Sequence, residues 1–315
     1  MPRLVPAPLH APHTTGDDPR VGHLLGAWLG DGRPPRAVLV GFPVDDGVRL
    51  NGGRTGAAAG PAAIRAALAR LTPDAALHDG MCALLAETAD LGDVAASGRL
   101  EEDQRRLGEA LAPHLAAGRF VVVLGGGHET SFGHFLGWAG AERDVSIVNW
   151  DAHADVRALR DGRAHSGSPF RQALEHPSGR CRRYTVAGLL RHAVAHEHAH
   201  FVTKRGGACV WRDEMDAARV GRIYGEQDGD VMASFDLDAV DRASAPGVSA
   251  PATGGLPVDV WLRAAYLAGR TPSVRSMDVV ELCPAHDRDG QTATLAALTV
   301  WWALRGVAER SAGGR

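Results

Sequence analysis

Apolar runs rich in β-branched residues recur along the chain at 37–42, 120–125, 145–150, 184–188, 231–238 and 274–282. Helix-like segments lie between them, and this alternation predicts a mostly parallel sheet covered by helices on both faces. Local chemistry places four of those helices. One runs from Gly56 to Leu68, where Pro61 suits a first turn and the alanines and leucine favour helix. Another covers 100–117, with acids early and Gly118 as its stop. Two more are expected at 257–268 and 292–309, the last carrying Trp301 and Trp302 as packing residues rather than a cofactor box. No repeat or long linker divides the pattern, so residues 31–315 read as one domain behind a partly disordered segment, 1–30.

Composition narrows the function. The chain has 315 residues, 45% of them hydrophobic, and a formal net charge of −3 with its basic residues spread out. That leaves no electrostatic footprint for nucleic acid or an acidic membrane surface. Cys82, Cys181, Cys209 and Cys283 lack paired metal-ligand spacing and read as reduced thiols. The start is rich in proline and histidine, without an apolar signal core, and no later run reaches membrane-spanning length. A cytoplasmic location is expected, with His10 and His13 solvated.

Chemistry collects where the apolar runs end. Val145 to Trp150 breaks directly into Asp151, His153 and Asp155. Residues two apart on an extended chain share a side, so these three can converge just past a strand end. Val121 to Leu124 leads into Gly125-Gly-Gly-His-Glu129, where glycines allow a tight turn that presents His128. A phosphate loop is the rival reading there, but its spacing and its lysine are both missing. Ser234-Phe-Asp-Leu-Asp238 supplies Asp236 and Asp238, which could otherwise cap a loop. Taken together, two imidazoles and four carboxylates from three strand ends suit two divalent ions about 3.5–4 Å apart with a shared solvent. Four carboxylates balance two such ions, and hydroxide and Glu281 then add negative charge. A cationic amidinium or guanidinium carbon fits this balance better than a phosphate ester.

The three motifs, in order and over nearly the whole chain, resemble the signatures of the arginase/agmatinase (ureohydrolase) superfamily. The resemblance implies a three-layer α/β/α sandwich with a mostly parallel central sheet, two Mn²⁺ per subunit, hydrolysis of a C–N bond at an amidine-type carbon, and trimers or hexamers. Asp46-Gly-Val-Arg-Leu-Asn-Gly-Gly-Arg-Thr-Gly-Ala57, Ser166-Gly-Ser-Pro-Phe-Arg-Gln172, Ala245-Pro-Gly-Val-Ser-Ala-Pro251 and Asp287-Arg-Asp-Gly-Gln-Thr-Ala293 resemble its formimidoylglutamase subfamily. Carried over, this makes His128, Asp151, His153, Asp155, Asp236 and Asp238 the metal ligands. Asp155 would also hold the bridging hydroxide that attacks the formimino carbon, and Glu281 would pair with the cationic nitrogen. His165 is either a proton shuttle or a solvated loop histidine. Substrate carboxylates need cations, and Arg49, Arg54, Arg157 and Arg171, with Asn51, are the candidates.

The chain departs from the subfamily pattern at 189–200. Leu190, Val194 and Ala195 stand where a polar Gln and an Asn-Thr pair are expected, and His192, His196, His198 and His200 follow as a polar helix face. The departure bears on substrate identity. A ureohydrolase releasing urea from another guanidino compound, of agmatinase, arginase or guanidino acid hydrolase type, is the alternative. A silent relative would have lost a ligand, and a single-zinc deacetylase would not need all six.

Overall fold

The computed structural model describes residues 4–7, 11–14, 16–25 and 34–312. Among these residues nine strands form one sheet: β1 (Leu4–Val5), β2 (Ala37–Phe42), β3 (Thr88–Val94), β4 (Phe120–Gly125), β5 (Val145–Trp150), β6 (Cys181–Leu189), β7 (Ala208–Trp211), β8 (Val231–Asp236) and β9 (Val274–Val280). Their spatial order is β1-β3-β2-β4-β9-β8-β5-β6-β7, and every pairing is parallel except β1 with β3. Alternation along buried strands divides the core in two. Leu39, Val122, Leu124, Val148 and Trp150 face one side, under helices that include Gly60–Leu68, Val258–Arg270 and Gln291–Ala312. Val38, Val40, Val121, Val123 and Ile147 face the other, under Leu100–Ala116, Thr130–Gly140 and Pro169–Leu174. The result is the expected three-layer α/β/α sandwich.

Three of the expected strands match residue for residue, and the four expected helices form within four residues of their predicted bounds. Unpredicted elements break local rules for tertiary reasons. Strand β3 carries Asp90 and Asp93 because they pair with the buried guanidinium of Arg65 at 2.7 and 2.6 Å. Helix Thr130–Gly140 contains three glycines and forms nonetheless. A Cβ at Gly137 would stand 2.8 Å from the Leu111 side chain of the crossing helix, so close packing selects glycine against helix propensity. Of residues 1–30, expected to be partly disordered, 4–5 pair as β1 and 21–25 form a short helix. His13 is exposed and His10 lies outside the described residues, as do 1–3 and 26–30. No helix of the described residues is long and apolar enough to cross a membrane.

The strand order positions everything that follows. Strands β4, β9, β8 and β5 are consecutive neighbours in the middle of the sheet, and all point the same way. Their carboxyl ends therefore form one edge, where open α/β sheets place their ligands.

Candidate metal centre

Three of these four strands stop short of their functional residues, and β8 ends on one, Asp236. Strand β5 ends at Trp150, and residues 151–155 form a turn rather than extended chain, with Asp155 in the left-handed region at φ 46°. Convergence of Asp151, His153 and Asp155 thus comes from a turn and not from strand alternation. In the same way β8 ends at Asp236 and a single 3₁₀ turn carries Asp238. Strand β9 ends at Val280, leaving Glu281 at φ 69°. Non-glycine residues seldom adopt such backbone angles, and two of those that do here sit in the cleft. Hydrogen bonds hold these turns. The Asp151 carboxylate accepts from the His153 amide at 2.6 Å and from Asn149 Nδ2 at 2.9 Å, and the Asp236 carboxylate accepts from the Asp238 amide at 2.8 Å. Tyr184 donates its hydroxyl to the Ala154 carbonyl at 2.9 Å.

After β4 the triglycine is needed for space. A Cβ at Gly126 would come within 2.0 Å of the Val44 carbonyl oxygen. That approach brings the His128 amide to Glu281 Oε1 at 2.7 Å, while Phe170 meets the imidazole edge to face at 5.2 Å.

Two donor sets result. Ligating atoms of His128, Asp151, Asp155 and Asp236 lie within 4.8 Å of one another, as do those of Asp151, His153 and Asp238, with Asp151 common to both. His128 Nδ1 stands 2.8 Å from Asp236 Oδ2 and 2.9 Å from Asp155 Oδ2, yet it makes no hydrogen bond. His153 Nδ1 is 3.3 Å from Asp238 Oδ2, and Asp238 Oδ1 is buried without a partner. Donors that crowd together without bonding to each other are arranged for a cation between them, and mixed carboxylate and imidazole suits Mn²⁺, Fe²⁺ or Zn²⁺.

The electrostatics agree. Burial pushes the Asp236 carboxyl well above the carboxylate range, with the Asp238 charge adding to it, and burial pushes Asp238 up to about 6. The His153 imidazolium is favoured first by the Asp238 carboxylate. Burial opposes the charged form of His128, but the Asp236 and Asp155 carboxylates outweigh it and raise its pKa. This is more negative charge than a buried site tolerates unaided.

A cleft of about 290 Å³ opens over both sets. Asp155, Asp236, His153, Asp238 and Glu281 form its floor, and Asn51, Arg54, Arg157, Ser166 and Ser249 are on its rim. Glu281 is buried; burial and the nearby Asp238 charge push its carboxyl up to about 7, and its Oε2 has no partner. Arg157 donates to Asn51 Oδ1 at 3.0 Å, and Asn51 donates to Ser166 Oγ at 3.1 Å. Arg54 is held by the carbonyls of Pro246, Val248 and Ser249.

Three expectations need correction. Arg49 turns outward to Asp46 at 2.7 Å, its side chain 61% exposed. Arg171 pairs with Glu175 and lies over the Phe201 ring at 4.5 Å, beside a separate surface hollow. His165 is neither solvated nor part of the cleft lining. It is buried, its Nδ1 accepts from the Gly167 amide at 3.2 Å, and its Nε2 then donates to the Ala158 carbonyl at 2.9 Å. Of the four histidines expected on a polar helix face, 196 and 200 are exposed on helix His196–Lys204, 198 is half-buried on it, and 192 is exposed in the turn before it. Ser249 was missed as a rim residue, because a serine in a loop carries no local signal.

A mostly parallel α/β sheet with two adjoining His/Asp donor sets on its central carboxyl edge defines the class, a binuclear metal-site α/β protein. A family comparison matches residues 35–305 to the arginase family, and the chain belongs to that family. It is 40% identical over 286 residues to a formimidoylglutamase of Rhodococcus jostii, covering 85% of each chain, and 37% identical over 282 residues to one of Chromobacterium violaceum, covering 85% of this chain and 86% of the relative. Among solved structures, Trypanosoma cruzi formiminoglutamase with Mn²⁺ superposes with a TM-score of 0.83 at 34% identity, over 93% of this chain and all of that one.

Proposed function

We propose that this chain is a binuclear-manganese hydrolase that cleaves N-formimidoyl-L-glutamate to L-glutamate and formamide. The observation that carries the reading is the cleft itself. Two donor sets, a buried carboxylate with a spare oxygen and two rim arginines meet within one small cavity. Identity to formimidoylglutamases over most of the chain supports the same reading.

When bound, two Mn²⁺ ions act as Lewis acids and make water a nucleophile at neutral pH. His128, Asp155 and Asp236 would hold one ion and His153 and Asp238 the other, with Asp151 common to both donor sets. Asp155 faces both the donor set and the cleft. It orients the attacking water and carries a proton toward the leaving nitrogen. Glu281 Oε2 receives an N–H of the cationic formimino group. Arg54 and Arg157, with Asn51, take the glutamate carboxylates, to which guanidinium forks are matched. With two divalent ions balanced by four aspartates, Glu281 leaves the floor net negative, which disfavours an anionic electrophile, and a tail without carboxylates would leave the rim guanidiniums without counter-ions.

Residues 31–315 act as one catalytic domain, in a cytoplasmic homo-oligomer, trimer or hexamer. The test is turnover of manganese-loaded protein on N-formimidoyl-L-glutamate beside guanidino compounds, assaying formamide, urea and ammonia separately. Formamide from the first substrate alone is expected. Urea from a guanidino compound would move the specificity elsewhere.

A further inference from the structure

Beneath the donor sets, between the sheet and helix Thr130–Gly140, lies a run of buried polar side chains that the catalytic reading does not use. His128 Nε2 meets Ser234 Oγ at 3.0 Å, and Ser234 Oγ meets Asp278 Oδ1 at 2.6 Å. Asp278 Oδ2 meets His134 Nδ1 at 2.8 Å, His134 Nε2 meets Ser276 Oγ at 2.7 Å, and Trp138 Nε1 meets Ser276 Oγ at 3.0 Å. Each of these six side chains is at most 1% exposed. Burial on this scale is costly unless every donor finds an acceptor, so the directions of the bonds can be worked out.

Two members have no choice of role. An indole N–H only donates, and an ionised carboxylate only accepts. Trp138 therefore donates to Ser276 Oγ, the Ser276 hydroxyl donates to His134 Nε2, and His134 Nδ1–H donates to Asp278. From the other side, the Ser234 hydroxyl donates to Asp278 Oδ1 across 2.6 Å, a shorter contact than its 3.0 Å to the Ser131 hydroxyl, so its oxygen accepts from His128 Nε2–H. The proton of neutral His128 is thereby placed on Nε2. Its Nδ1 lone pair is left facing Asp155 and Asp236, where that nitrogen has no hydrogen bond.

We infer that Asp278 is a positioning residue which, through Ser234, fixes the tautomer and ring orientation of His128 and so tunes the affinity of one metal ion of the pair. The inference rests on the binuclear reading. His153, which serves the other donor set, has no part in this run. An outer partner of a metal-binding histidine is worth roughly 10- to 100-fold in affinity. An amide at position 278 loses the charge and turns a donor toward either Ser234 or His134, which breaks the run at one end.

The experiment is stepwise Mn²⁺ titration of the full chain, followed by the electron paramagnetic resonance of free Mn²⁺, for the unsubstituted protein, Asp278→Asn and Ser234→Ala. Two ions on the unsubstituted protein are required; fewer would overturn the binuclear reading itself. Given two, Asp278→Asn is expected to weaken one ion about 10- to 100-fold and leave the other within about threefold. Equal weakening of both, or of neither, overturns the inference. Should Asp278→Asn fail to fold by circular dichroism, Ser234→Ala decides the matter by the same asymmetry, because removing one hydroxyl leaves Ser131 and His134 still bonded to Asp278.

Discussion

The floor and the rim of the cleft are built on different principles. The floor comes from four adjacent strand ends whose donors are mostly buried, with hydrogen bonds to their own turns or to the core below. The rim comes from loops at 51–54, 157–166 and 249–250 that hold one another across long stretches of sequence, as Asn51 holds Ser166 across 115 residues. Rigid strand ends fix donor geometry to fractions of an ångström, which metal chemistry demands, whereas loops can change what is recognised without moving the floor. The 189–200 segment illustrates the point. Leu190 packs on Ala152 and donates its amide to the Ala152 carbonyl at 3.1 Å, so its apolar character supports the ligand turn from behind.

The largest effects should come from the floor. His128→Ala and Asp236→Ala are each expected to cut kcat/KM by roughly 10³-fold or more, since ligands and nucleophile act as a unit. Atomic absorption should show less than two bound metals per chain. Activity retained at full metal content would break the distinction between floor and rim.

The rim should respond more gently and selectively. Arg54→Ala is expected to raise KM for a dicarboxylic substrate about tenfold with kcat little changed, the scale of one charged hydrogen bond. Arg49→Ala and Arg171→Ala should stay within about twofold, as exposed ion pairs contribute little. Steady-state kinetics on the three variants checks both statements, and equal effects would show that the rim extends further than the cleft.

A separate effect is one of pH. Glu129, next to His128 but turned away from the donors, accepts from the Gly47 amide at 2.7 Å and is fully buried. Burial, with Glu281 nearby, pushes its carboxyl from 4.5 up to about 8. A carboxyl raised in the folded state binds its proton more tightly there than when unfolded. Its contribution is full below about 4.5 and is lost as pH rises through about 8. Glu129→Gln, which is neutral throughout, should melt close to the parent at pH 5 and above it at pH 9. A melting difference independent of pH would contradict the assignment.

Much of this was legible before any fold. The runs at 37–42, 120–125 and 145–150 matched their strands, because a buried strand must be apolar along its own length. Gly125-Gly-Gly-His128 announced a backbone that has to pass close to something, and Val44 is what it passes. Ser276 and Asp278, polar positions within an apolar strand, were a signal left unread. Arg49 and Arg171 were indistinguishable from Arg54 and Arg157 in sequence, since a long side chain can point wherever its partner lies.

By itself, the sequence determined the kind and number of donors, the strands that carry them and the cationic character of what they should receive. Only the tertiary structure decided that β4, β9, β8 and β5 lie side by side, and hence that donors more than a hundred residues apart form two sets sharing Asp151. It also decided that Asp155 and Glu281 take left-handed angles, and that His165 is tied into its own loop. Burial patterns are local and are written residue by residue. The neighbour of a strand, and the partner of a guanidinium, are set by packing across the whole chain.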